Sequence, residues 1–133
     1  MEWSESLSIG VEAVDNQHKE LIKRANAFFD VMKAGGGNEQ VLPVLDFLSG
    51  YVVKHFHDEE MIQIRYKYPG HEAHKKMHQD FVEDVKRLRA DLEKNGVTIA
   101  SSSMVAMTLS NWLVTHITMQ DRLIGKYIKS LQG

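Results

Sequence analysis

Four stretches of this chain repeat a four-three spacing along a non-polar seam, and that spacing admits few folds. The first seam runs Val14, His18, Leu21, Ala25, Phe28 and Met32, and the second Val41, Leu45, Leu48, Val52, His55, Glu59 and Ile62. The third runs His74, His78, Phe81, Val85, Leu88 and Leu92, and the fourth Val105, Leu109, Trp112, His116, Met119 and Leu123. Residues so spaced line one face of an α-helix and turn it toward other helices. No stretch shows the period-two alternation of a half-buried strand. Turn signals at Gly35-Gly36-Gly37-Asn38, Tyr68-Pro69-Gly70 and Asn95-Gly96 separate the seams. Short breaks make consecutive helices antiparallel neighbours. The expectation is an all-α chain, an up-down-up-down four-helix bundle, with residues 1–133 forming a single domain. Pro43 lacks an N–H and is expected only two or three residues inside the start of its helix. Asn95-Gly96 suits a helix C-terminus, and Thr98 or Ser101 is expected to cap the helix that follows.

Composition narrows the chemistry. The chain has no cysteine, which removes disulfides, thiolate metal sites, iron–sulfur clusters and cysteine nucleophiles together. A formal charge of -2 gives no strong pull toward nucleic acid or an anionic membrane. No apolar run approaches the ~20 residues needed to cross a bilayer. The opening Met1-Glu2-Trp3-Ser4-Glu5-Ser6 does not read as a signal peptide, so a cytoplasmic protein is expected.

The informative residues are those that interrupt the seams with polarity: His18, His55, Glu59, His74, His78 and His116. A buried imidazole or carboxylate is costly unless it is paired, hydrogen-bonded or bound to a metal. One histidine on an apolar face is usually a satisfied core residue, but five on the seams of four helices would each need a separate partner in a small core. His55 and Glu59 are four apart, as are His74 and His78. That spacing turns a helix by ~400°, so each pair stacks on one face and can grip one ion. In an up-down bundle these positions meet at one end of the core.

The strings that carry these residues resemble a known family. Trp3…Gly10-Val11…Asp15-Asn16-Gln17-His18, His55-Phe56-His57-Asp58-Glu59-Glu60, Tyr68-Pro69…His74-Lys75-Lys76-Met77-His78 and Trp112-Leu113-Val114-Thr115-His116-Ile117…Asp121 are similar to the bacterial hemerythrins over nearly the whole chain. The resemblance implies a non-haem di-iron centre. His74, His78 and His116 would hold one iron, His18 and His55 the other, and Glu59 and Asp121 would bridge them. Asp121 enters through the resemblance alone. It lies five residues after His116, which on a regular helix rotates it ~140° away and reads as a solvated surface aspartate. Its membership in the site therefore calls for a local widening of the helix, a π-type turn, between the two.

Counting donors gives the expected chemistry. Five histidines, two bridging carboxylates and one oxide or hydroxide bridge fill about eleven of the roughly twelve positions on two octahedral ions, and an open position is the mark of a site that binds ligands. Nitrogen- and oxygen-rich ligation suits iron as Fe2+/Fe3+, and also zinc or copper. The resulting expectation is reversible dioxygen binding for storage, delivery or scavenging, without enzymatic turnover, dioxygen being the ligand and a further protein the receiver. Di-iron bundles that oxidise substrates carry about four carboxylates, whereas this site is richer in imidazole. Oxygen or nitric-oxide sensing and peroxide or nitric-oxide reduction are the alternatives. Leu21, Ile22, Phe56, Leu113 and Ile117 are candidates for a water-excluding wall, although core packing explains them equally. His57, His71, Glu60, Tyr51, Trp112 and the methionines are assigned no site role.

Overall fold

The seams become helices in the computed structural model, which describes residues 2–132. Helix α1 spans Glu12–Lys33, α2 Asn38–Arg65, α3 His71–Asn95 and α4 Ile99–Thr115. The last rod then widens into a π-helix at His116–Asp121 and resumes as α5, Arg122–Leu131. A short 3-10 turn, Glu5–Leu7, precedes α1. No strand occurs among the described residues, and none of their helices is long and apolar enough to cross a membrane.

Local chemistry explains the boundaries. Gly96 ends α3 with a positive φ of 78°, where a side chain would be strained. Thr98 then caps α4 reciprocally: Ser101 N–H donates to Thr98 Oγ1 at 3.0 Å, and Thr98 N–H donates to Ser101 Oγ at 2.8 Å. Helix α2 starts earlier than Pro43 suggests, at Asn38. Two contacts outweigh the hydrogen bond that proline forfeits there. Gly37 N–H donates to Gln40 Oε1 at 3.0 Å, and Val41 is fully buried.

The seams hold except at the C-terminal ends of the second and the fourth. All six positions of the first seam are buried, and the second is buried from Val41 through Glu59, with Gln63 rather than Ile62 completing it. On the fourth rod Val105, Leu109 and His116 face inward, but Met119 and Leu123 face solvent. The π-helix inserts one residue, which advances the phase of everything beyond it. The inward set becomes Ile117, Asp121, Ile124 and Ile128. A regular 3.6-residue extrapolation past His116 therefore picks the wrong face.

Packing divides the bundle lengthwise. One end is an apolar core built on Ala25, Phe28, Met32, Val41, Leu45, Leu92 and Val105. The other end holds the polar seam residues. It is closed by the N-terminal segment, whose Leu7 packs with Ile22 and Ile117. Asp15 ties that segment down by accepting from Ile9 N–H at 2.9 Å and from Ser8 Oγ. Arg122 donates to the Ser6 carbonyl.

Candidate metal centre

Seven polar side chains meet at that end: His18 from α1, His55 and Glu59 from α2, His74 and His78 from α3, and His116 and Asp121 from the two ends of the π-helix. All are buried, and His18, Glu59 and Asp121 show no exposure. The widened turn directs Asp121 inward. Asp121 Oδ1 lies 3.0 Å from His116 Nε2, a placement that the α-helical rotation of ~140° would forbid.

The donors form two groups that share their acids. Glu59, His74, His78, His116 and Asp121 make one, and His18, His55, Glu59 and Asp121 the other, each with donor atoms within 4.8 Å of one another. The two carboxylates divide their oxygens between them. Glu59 Oε1 faces His74 Nε2 at 2.9 Å and His78 Nε2 at 3.3 Å, while Oε2 faces His55 Nε2 at 3.4 Å. Asp121 repeats the division, with Oδ1 at 2.9 Å from His74 Nε2 and Oδ2 at 2.9 Å from His18 Nε2. A carboxylate that turns one oxygen to each of two donor groups is arranged to bridge.

The atoms involved fit cations better than they fit one another. Both oxygens of Glu59, both of Asp121, and the Nε2 atoms of His18 and His74 are buried without a well-formed hydrogen bond, although partners lie close by. They are gathered within 4.8 Å of one another in each group, the spread of donors around one ion. His78 Nε2 and His116 Nε2 face each other at 3.1 Å, which two lone pairs tolerate only with a proton or a cation between them. Orphaned buried acceptors on this scale would be expensive in a metal-free core. The cluster is able to hold metal.

Protonation in the metal-free protein follows from the same geometry. Burial and the neighbouring Asp121 push the Glu59 carboxyl upward, but the imidazoles of His55, His74 and His78 close around it prevail and hold it at about 2. Burial pushes His74 down, and the Asp121 and Glu59 carboxylates override it, raising His74 to about 9. For His116 burial prevails and the value falls below the ordinary 6.5. Burial also opposes ionisation of Asp121, yet the facing histidines carry it well below the usual carboxylate range. One cationic imidazole between two carboxylates stands where a metal's charge belongs.

An outer layer fixes the rings, and sequence reasoning missed it. His78 Nδ1 pairs with Glu60 Oε2 at 2.8 Å, and His55 Nδ1 with Gln17 Oε1 at 2.7 Å. Gln17 in turn donates to Asp58 Oδ2 at 2.8 Å. Each partner sets the tautomer that leaves Nε2 available inside. Two aromatic faces add to this: Phe56 stacks on His78 at 3.8 Å between ring centroids, and Trp112 on His116 at 4.4 Å. Glu60 and Gln17 each sit beside a seam residue in the sequence, which was the available signal. His57 is exposed, and His71 pairs with the buried Gln63 at 2.8 Å instead of reaching the centre.

The five candidate wall residues are all buried but do not form one wall. Leu21, Phe56 and Leu113 belong to the main core, and Ile22 and Ile117 to the separate cluster under Leu7. Phe56 braces the three-histidine group.

Fold and centre together define a four-helix bundle with a shared-carboxylate metal site at one end. Residues 9–128 match the family described as Hemerythrin HHE cation binding domain, and the chain belongs to that family. It is 30% identical to the bacteriohemerythrin of Stenotrophomonas maltophilia over 96% of this chain and 81% of that one. The myohemerythrin of Sipunculus nudus is 29% identical, over 90% of this chain and 86% of that one. A crystal structure of wild-type hemerythrin superposes with a TM-score of 0.82 at 29% identity, covering 95% of each chain.

Proposed function

We propose that this chain binds dioxygen reversibly at a pair of iron ions. His74, His78 and His116 would hold one ion and His18 and His55 the other, with Glu59 and Asp121 spanning both. The observation that carries the reading is the divided carboxylate: each acid offers one oxygen to each donor group. The groups are unequal, with five donor residues against four. That inequality supports a coordination vacancy on the two-histidine side. A ferrous pair would supply the two electrons that dioxygen takes up on binding and returns on release.

The chain's own residues do the rest. Burial of the donors themselves, all at 5% exposure or less, keeps bulk water from the cluster. Glu60 and Gln17 hold His78 and His55 with Nε2 facing inward. The site has two carboxylates, which supports reversible binding over substrate oxidation by comparison with bundles that carry about four. Purified protein should contain two irons per chain. Its visible spectrum should change when anaerobic reduced protein meets air and revert when oxygen is withdrawn. Protein without a metal pair, an irreversible spectral change, or sustained turnover with a reductant would each replace this reading.

A further inference from the structure

One turn beyond the donors, the core holds a second polar pair that the metal centre leaves unexplained. Gln63 has 0% exposure and occupies the seam position four residues after Glu59. Its Oε1 pairs with Nδ1 of the half-buried His71 at 2.8 Å, but its Nε2 is buried with no hydrogen-bond partner. The backbone is fixed as well, since the Gln63 carbonyl accepts from Tyr68 N–H at 2.8 Å in the turn that ends α2. Gln63 and His71 repeat, one turn outward on the same two helices, the approach of Glu59 to His74 at 2.9 Å. A buried N–H without an acceptor is expensive, and an apolar side chain of the same length would avoid the cost.

We infer that Gln63 is a positioning residue for the bridging acid: with metal in place its Nε2 donates to the Glu59 carboxylate, and His71 holds the amide in that sense. Reach comes first. Long side chains on a helix lean toward its N-terminus, over the residue four positions earlier, which here is Glu59. The acceptor is available too. Both Glu59 oxygens are buried without a well-formed hydrogen bond, and an oxygen that binds a cation through one lone pair keeps a second for a donor. The sense of the amide is also decided. With His71 donating from Nδ1 to Oε1, the NH2 group faces inward. The reverse orientation would turn Oε1 toward carboxylate oxygens, which repel it. The acids thereby select the His71 tautomer that carries its proton on Nδ1. A neutral donor fixes the angle of a bridging carboxylate while leaving the negative charge that the cations need.

The inference rests on the paired-metal reading of the same donors but not on dioxygen, so a redox-inert ion tests it. Zinc is titrated against a competing chelator into the wild type, Gln63→Met and His71→Phe, and each metal-free protein is melted. Gln63→Met keeps the length of the side chain and removes the unpartnered amide, while water takes over the freed bond of half-buried His71. It should raise the melting temperature of the metal-free protein by roughly 3 °C. It should nevertheless weaken zinc binding about tenfold, the lower end of the range for outer partners of metal ligands. His71→Phe leaves the amide free to rotate and should weaken zinc binding about threefold, less than loss of the amide itself. A residue that only packs would move stability and affinity in the same direction. Metal-free Gln63→Met melting below the wild type, or wild-type zinc affinity in either variant, would overturn this inference alone. A wild-type chain that takes up no pair of zinc ions would overturn the paired-metal reading along with it.

Discussion

Replacing Glu60 with leucine separates the outer layer's contribution from that of the donors themselves. Glu60 Oε2 lies 2.8 Å from His78 Nδ1 and its side chain is only 18% exposed, so solvent screens the pair weakly. Outer partners of metal-bound histidines are worth ~10- to 100-fold in metal affinity, or about 1.4 to 2.8 kcal/mol. Two features decide where in that range Glu60→Leu falls. The lost acceptor is a full carboxylate, which argues for the upper end. Glu60 also lines a surface depression of about 620 Å³, through which water can reach the vacated place and restore part of the bond. A loss of about 30-fold is expected, confined to the three-histidine position. Glu60→Gln keeps an acceptor without the charge and should cost less, about 5-fold on the same scale. Anaerobic titration of metal-free protein with ferrous ion against a competing chelator measures both. Undiminished affinity in Glu60→Leu, or a glutamine variant as impaired as the leucine one, would refute the role assigned to this carboxylate.

Other perturbations follow from the same geometry. His74 titrates near 9 in the metal-free protein, above its ordinary 6.5. Its protonated form therefore stabilises the metal-free fold fully below pH 6.5, and that contribution is lost as pH rises through about 9, which thermal melting across the range will register. Metal must displace the same proton, so apparent affinity should rise about tenfold per pH unit from 7 toward 9 and then level off, as a pH series of titrations will test. Gly125→Ala drives a methyl group into the Ile9 carbonyl, whose carbon would lie 2.9 Å away. Backbone must move on both sides, costing about 2 to 4 kcal/mol and lowering the melting temperature by roughly 10 °C. Trp112→Leu removes the ring stacked on His116 and should weaken metal retention at the three-histidine position more than at the other, read by the release of one metal before the second under chelator.

The bundle was legible because its signal is redundant. Each helix repeats its seam over several turns, so misplacing one end, as at Pro43, leaves the helix itself intact. The five histidines and Glu59 were legible for a related reason: they sit in apolar registers where polar groups need a cause. What escaped was orientation and anything that depends on a break in the period. Gln17 and Glu60 lie next to seam residues, and their outward tilt toward His55 and His78 depends on how neighbouring helices cross. Trp112 read correctly as packing, but sequence could not say that its packing partner is an imidazole.

The π-helix shows why one irregularity settles the site. With α-helical geometry throughout, His116 and the residues three, four and seven beyond it would share a face, giving Met119, Gln120 and Leu123. None of these is an acid. The only carboxylate within reach on that rod is Asp121, and it becomes available because one extra residue is accommodated between it and His116. That turn is held in place from both sides. Trp112 and Phe81 stack at 3.7 Å before it, and Gly125 lets the backbone of Ile9 press against α5 after it. Without Asp121 the two donor groups would share Glu59 alone, and the arrangement in which two acids each face both groups would be lost. The exposed Met119 is the other consequence of the same insertion: on an unbroken α-helix it would share the inward face of His116, and the extra residue turns it to solvent so that Asp121 can face the donors.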